Sequence, residues 1–355
     1  MQPGFFDADN RLAQLSKLGD PLEVLACTIP WDEFAALLRD VHEKERKSNA
    51  GRKPFDALLM FKVLVLQTYY NLSDDQVEYQ IRDRLSFMRF LGLQIEDRVP
   101  DAKTVWLFRE RLAELGLTER LFDRFADVLE AHGYQARKGQ IIDASIVKAP
   151  VQRNRREDNE KIKRGEVPEG WSKNKRRQKD SDARWTKKHG KSYYGYKNHI
   201  SVDAEHKLIR KYVATPANVH DSQAFDEVID VENADPQLWA DCAYRSEETE
   251  QALEAAGYES HIHEKGQSNA ALTPEQQERN RERSRIRVRV EHVFGSQENE
   301  QGGKFLRTIG LARAKVKIGL MNLLYNFRRF VYLEDRKGSA AAVSYTHLTL
   351  PTTPY

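Results

Sequence analysis

The run from Phe55 to Tyr70 is apolar almost all round and predicts a buried helix. Ser73, followed by two aspartates, reads as the cap of a second helix. Asp101 or Thr104 would start a third, which contains Val105 to Leu112 and ends near Gly116. A fourth runs from about Glu119 to Ala131 and stops at Gly133. Residues 1 to about 135 therefore read as helical. From about residue 139 the period changes: Gln140 to Val147 is strand-like, and some forty polar residues follow. Two more strands are predicted at about 192–203 and 208–214, with a turn at Asp203 to His206. A helix near 221–230, the strand Gln237–Ala240, a helix from Ser246 to Ala256 and a strand at 259–263 come next. Two helices, 274–296 and 311–334, complete the pattern. Strands followed by alternating units predict an α/β fold with a mixed sheet, preceded by an all-helical N-terminal domain.

The expected division is 1–135 for the helical domain and 136–336 for the α/β domain, with a basic insertion at 150–191. A structureless stretch that long inside a compact domain is functional or disordered. The last residues, Ser339 to Tyr355, have no helix period and read as a non-native tail, so they carry no weight in the fold. The helical domain, compact with basic surface residues, suits either recognition of DNA ends or a purely structural role.

Net charge is only +3, but its distribution is uneven. Residues 151–191 hold 15 Lys and Arg against 7 Asp and Glu. A second run contains Arg279, Arg281, Arg283, Arg285, Arg287 and Arg289. Such concentration suits a polyphosphate partner. The cysteines, Cys27 and Cys242, have no metal-ligand spacing and fit a reduced cytoplasmic protein. No stretch approaches the ~20 apolar residues of a membrane span, and the N-terminus is not of signal type.

Three carboxylates are candidates for metal-assisted chemistry. Asp143 follows Ile141 and Ile142, Asp241 follows Trp239 and Ala240, and Glu291 lies in the arginine-rich helix. Two aspartates at the ends of neighbouring strands, with a glutamate from a helix beside them, would hold a pair of divalent cations for in-line displacement at a phosphodiester. Hard ions such as Mg²⁺ prefer such oxygen ligands, and nothing suggests zinc. Each residue also has a plainer reading: Asp143 as a turn cap, Asp241 as a helix N-cap, Glu291 as a solvated surface group. Arg287, one helical turn before Glu291, would pair with it or reach a phosphate. Trp171, Trp185, Tyr193, Tyr194 and Tyr196 interleave with basic charge and suit stacking on unpaired bases. Sheet packing is the preferred reading for alternate members of 193–196.

Several segments together resemble the IS5-type bacterial insertion-sequence transposases, of the IS4/IS5 superfamily. They are Asp143-x-Ser145, Trp185 to His199, Thr215 to Asp221, Ala240 to Tyr244, and Arg287 to Phe294. Gly51 to Pro54 and Val99 to Thr104 match the leading helical domain of that family, and the likeness covers about residues 45 to 330. It implies an RNase H-like core with a catalytic, metal-binding triad of Asp143, Asp241 and Glu291, and Mg²⁺ or Mn²⁺ as cofactor, two ions per site. It implies cleavage at element ends and strand transfer into target DNA by a homodimer in a synaptic complex, in the bacterial cytoplasm at the nucleoid. Arg287, Lys197, His199, Tyr244, Arg245 and Lys191 would be the DNA-binding residues. The family pattern has a Tyr at position 284 and a Lys at position 298, where this chain has Ser284 and Glu298. A catalytically decayed protein that only binds terminal repeats is the alternative. A stand-alone RNase H-like nuclease is a third reading, which the helical domain and the basic insertion disfavour.

Overall fold

The computed structural model describes residues 6–42, 53–188, 190–266 and 271–348, with side chains as far as residue 338 apart from His42. Gly51 and Arg52 of the leading motif, and His189, therefore lie outside the described residues, as do residues 349–355.

Among the described residues, eight α-helices occupy the first part: α1 (Asp7–Lys17), α2 (Pro21–Thr28), α3 (Ala35–Leu38), α4 (Ala57–Tyr69), α5 (Asp74–Asp83), α6 (Leu85–Leu91), α7 (Ala102–Leu115) and α8 (Leu117–Ala131). Their ends are set by local chemistry. Asp20 and Asp56 cap α2 and α4 by accepting from the amides of Leu22 and Leu59, at 3.0 and 2.9 Å. Ser73 and Gln76 form a reciprocal capping box on α5. Asp101, rather than Thr104, caps α7: its Oδ1 accepts from the Thr104 amide at 2.7 Å. Left-handed Gly116 ends α7. Helix α4 is buried on nearly every side, as its composition requires.

The remaining elements are β1 (Gln140–Lys148), α9 (Arg156–Lys163), α10 (Lys173–Gln178), β2 (Arg184–Lys188), β3 (Lys191–Asp203), β4 (Ile209–Pro216), α11 (Phe225–Val228), β5 (Gln237–Ala240), α12 (Glu247–Ala255), β6 (Glu259–Ile262), α13 (Pro274–Gln301) and α14 (Leu311–Leu348). Strand β3 pairs antiparallel with β1, β2 and β4. Strands β1, β5 and β6 are parallel neighbours. An antiparallel half continued by a parallel half is the mixed sheet of an RNase H-like core.

Three expectations need correction. The basic stretch is not featureless, because α9, α10 and β2 lie in it. Their charged residues hide the period, and the few apolar side chains buried there include Ile162 of α9 and, after it, Pro168 and Trp171. The helix expected at 221–230 is a 3₁₀ turn (Asp221–Ala224) followed by the single turn α11. The backbone of α14 continues through residues 339–348, where the sequence has no helical period.

Packing follows the alternation of β1. Ile141 joins Ile200, Val202, Val290 and Val293 on one face. Ile142 joins Leu238, Ala240, Phe225 and Leu253 on the other. Helix α14 inserts among the N-terminal helices, so one hydrophobic cluster runs from Leu22 to Phe330. The Phe327 ring lies 4.6 Å from Phe125, 5.6 Å from Trp31 and 5.8 Å from Phe34. Two buried amides pin α14 to the sheet. Asn322 exchanges hydrogen bonds with Asn198, and Asn326 bonds the amide and carbonyl of Ile209. Among the described residues, no helix is long and apolar enough to cross a membrane.

Candidate active site

Asp143 is not at a strand end: it is the fourth residue of nine in β1. The neighbouring strand is what stops there. The last β1–β5 pair is Ile142 with Ala240, and Asp241 is the first residue beyond it. Strand β1 continues because β3 pairs with it as far as Lys148. The two aspartates therefore stand level at the point where β5 leaves the sheet, the position at which open α/β sheets bind ligands.

The plainer readings of these aspartates are not realised. Asp143 Oδ1 accepts only from the next amide, Ala144, at 2.7 Å, and Oδ2 accepts from Arg287 Nη1 at 2.9 Å. Asp241 precedes the 3₁₀ turn Cys242–Tyr244 without capping it, and Ser246 caps α12 instead. Arg287 projects from α13 onto the Asp143 face of the sheet. Its Nη2 also lies 3.7 Å from Glu291 Oε1, and its Nε is buried without a hydrogen-bond partner. One guanidinium thus sits between two of the three carboxylates.

Electrostatics separate the two aspartates. Burial pushes the Asp143 carboxyl up to about 6, against the pull of Arg287, the Ala144 amide and Lys188, while Asp241 adds to the rise. Burial also acts to raise Asp241, but bonds from the Cys242 thiol and amide and the charge of Arg287 hold it below the ordinary range. Glu291 differs in that its side chain is 61% exposed. Among the described residues no three His, Cys, Asp or Glu side chains stand together as a metal-ligand set. The donors nonetheless fit a hard divalent ion. Two adjacent carboxylates offer oxygen ligands, a third lies on the neighbouring helix face, and a cation of the protein already occupies the negative field.

The other candidates lie elsewhere. Lys197 and His199 pair with Ile146 and Ala144 of β1, and so face away from Asp143. Lys197 Nζ donates to Asp221 Oδ1 and to the Val219 carbonyl, both at 2.7 Å. His199 is fully buried, with Nε2 2.9 Å from Thr215 Oγ1. Burial moves its pKa down to about 4, with Asp221 opposing and Lys197 assisting. Tyr244 is 1% exposed, and among the described residues its hydroxyl has no hydrogen-bond partner. Burial first, then the fields of Asp143, Asp221 and Asp241, raise its pKa well above the ordinary tyrosine value. Neither His199 nor Tyr244 offers DNA a surface in this conformation. Arg245 donates to the Ile262 carbonyl and pairs with Glu250, whereas Lys191 is exposed at the start of β3.

Two groups near the site escaped the sequence reading as site residues, Asp221 and Lys188. Asp221 was visible only as the end of a matched motif, and Lys188 only as one residue of the matched segment Trp185 to His199 and one charge in a basic run. At the departures from the family pattern, Ser284 bonds the Asn280 carbonyl at 2.7 Å and Glu298 pairs with Lys304. Of the aromatic set, Tyr194 and Tyr196 are packed and donate to Asp180, and Trp171 is buried against Asp158. Trp185 is 52% exposed.

Residues 134–327, more than half of the chain and the span containing Asp143, Asp241 and Glu291, match the family described as "Transposase DDE domain". The chain belongs to this family. Residues 10–111 match a second family, "Transposase domain (DUF772)". The DDE transposase is thus a DNA transposase, an enzyme of divalent-metal-dependent phosphodiester chemistry that binds DNA. One solved structure, the "Cryo-EM structure of piggyBac transposase synaptic complex with hairpin DNA", is similar over 90% of this chain and 76% of that one. The identity is 11% and the TM-score 0.45, a likeness too loose to inform the site.

Proposed function

We propose that Asp143, Asp241 and Glu291 are the acidic triad of this transposase, that they hold two Mg²⁺ or Mn²⁺ ions, and that the chain is of the IS5 type. The reading rests above all on the register that ends β5 at Ala240 and leaves Asp143 and Asp241 side by side. Bound ions supply activation of the attacking hydroxyl and stabilisation of the leaving 3′-oxygen. The protein's own groups prepare the site. Arg287 keeps Asp143 ionised against its burial, and the Cys242 bonds do the same for Asp241. Glu291 joins them by a side-chain rotation that releases Arg287. The freed guanidinium, with exposed Lys188 and Lys191, then meets DNA phosphates, and affinity falls steeply with salt. Arg245 reaches DNA only by giving up Glu250, while Lys197, His199 and Tyr244 support the site from behind the sheet. The helical region binds the terminal repeats, and two copies act together on two ends.

A second reading, a protein that binds ends without cutting them, draws on the solvent-facing position of Glu291 and on Ser284 and Glu298. One experiment separates them. A labelled duplex carrying the sequences that flank the reading frame is incubated with Mg²⁺ and either wild type or Asp241→Asn. Nicking by the wild type alone, with retained binding by the variant, is expected. Binding without nicking by both proteins would establish the second reading, and nicking by Asp241→Asn would remove that residue from the triad.

A further inference from the structure

The seam between the N-terminal helices and the catalytic core holds a partly open cavity of about 450 Å³. Its walls come from the α4–α5 corner, from α7 and α14, and from the segment after α13. None of these residues belongs to the acidic site. Its lining mixes apolar groups, Leu72, Phe305, Leu306 and Met321, with polar ones, and several of the polar groups are incompletely paired.

Arg109 of α7, on the helical side of the seam, grips Asp74 at the start of α5 with both terminal nitrogens, at 2.7 and 2.8 Å. Asp74 is thereby neutralised. Lys317 of α14 enters the same space and, among the described residues, has as its sole hydrogen-bond partner the neutral Gln67 Oε1, at 3.1 Å. It has no carboxylate within ion-pair distance among the described residues. Arg307, exposed, adds a further positive charge to the rim. The lining thus carries two more cations than carboxylates.

Two further groups want a ligand. Gln301 is only 4% exposed, yet among the described residues neither its carbonyl oxygen nor its amide nitrogen has a hydrogen-bond partner. Thr308 Oγ1, also buried, has none. A buried amide left wholly unpaired is costly, and native proteins satisfy such groups with a bound species. Three donors of different type around an excess of positive charge select an anion with several acceptor oxygens. A carboxylate has two such oxygens. A tetrahedral oxyanion has four and matches this number of donors better.

From this arrangement we infer that the seam cavity is a phosphate-binding site, held by Lys317, Gln301 and Thr308, distinct from the acidic site. The phosphate is either free in solution or part of a DNA backbone that runs along the seam. Its position gives it leverage. The wall segment continues from the end of α13, the helix of Arg287 and Glu291, and pairs with the end of β1, the strand of Asp143. The Lys148 amide donates to the Lys304 carbonyl at 2.8 Å, and the Leu306 amide donates to the Lys148 carbonyl at 2.7 Å. Occupancy therefore ties the helical region to β1 and α13, two of the three elements that carry the triad. The lowered pKa of Lys317, about 7, caused by burial and by the like charge of Arg109 against the pull of Asp74, is the state an anion would relieve.

The test uses the full chain without metal, so its outcome is independent of the triad. Thermal melts are run with inorganic phosphate against chloride at matched ionic strength, for wild type, Lys317→Met and Gln301→Leu. A saturable rise in Tm specific to phosphate is expected in the wild type, with apparent affinity weakened about tenfold or more in Lys317→Met. Met relieves a buried charge, so that variant should melt no lower than wild type, and lost phosphate response cannot be ascribed to misfolding. A second arm measures duplex DNA affinity against salt. A DNA-backbone source predicts a weaker duplex affinity and a shallower salt slope in Lys317→Met, with free phosphate competing. A free-phosphate source predicts unchanged duplex binding. Wild type and Lys317→Met responding alike to phosphate, or no response beyond ionic strength, would overturn the inference.

Discussion

Replacing Arg287 by alanine tests the electrostatics of the acidic site directly. In the metal-free protein the guanidinium lies 2.9 Å from Asp143 Oδ2 and 3.7 Å from Glu291 Oε1. At an effective dielectric near 20, a contact of that length is worth roughly 5 kcal/mol before desolvation. The Arg287 and Asp143 side chains are 19% and 15% exposed, so breaking the pair approaches the cost of a buried one. Desolvating the guanidinium offsets part of the attraction, and a net loss of about 2–3 kcal/mol is expected without metal. Divalent ions oppose the effect. A cation bound to these carboxylates competes with Arg287, so the variant binds Mg²⁺ more tightly and gains more stability from it. The assay is urea unfolding of both proteins in chelator and in saturating Mg²⁺. The gap between them should close by at least half when metal is added. A gap that metal leaves unchanged or widens would refute the view that Arg287 and the ions share one site.

Gly195→Ala should abolish stable folding. Gly195 has φ +151°, and a Cβ there would lie 2.2 Å from the Val147 carbonyl oxygen and 2.8 Å from the Ala149 nitrogen. Backbone of β1 must move, so a loss above about 3 kcal/mol is expected, and a thermal melt within a degree of wild type would contradict the close approach. Phe327→Ala removes the ring shared by Trp31, Phe34 and Phe125 and should cost about 3–5 kcal/mol; unfolding in two separate transitions instead of one lowered one would show that the cluster is not a single core. Lys317 titrates near 7 in the folded chain and near 10.5 when unfolded, so between these values the unfolded state binds more protons and stability rises with pH. Lys317→Met should remove that rise, up to about 1.4 kcal/mol per pH unit, in urea melts between pH 7 and 9; parallel slopes for the two proteins would exclude it.

The elements were legible where local physics decides them. The all-round apolar run of α4, the serine and aspartate caps of α5 and α7, and the strand period around Asp143 each depend on neighbours in sequence. The short pieces α9, α10 and β2 were not, because their charged residues leave too few apolar positions to show a period. The site was half legible. Asp143, Asp241, Arg287 and Glu291 stood out as residue types in suitable contexts, and the sheet does bring the two aspartates and Arg287 together.

By itself the sequence determined which residues could carry charge toward phosphate and metal, and which stretches must be helix or strand, since both follow from composition and short-range period. Only the tertiary structure decided the rest. Pairing register sets Asp143 level with Asp241, and strand alternation sends Lys197 and His199 to the opposite face. The packing of α14 inside the N-terminal helices shapes the seam cavity and leaves Lys317, among the described residues, without a carboxylate in ion-pair distance. Register and burial depend on contacts between residues distant in sequence, and no local pattern encodes them.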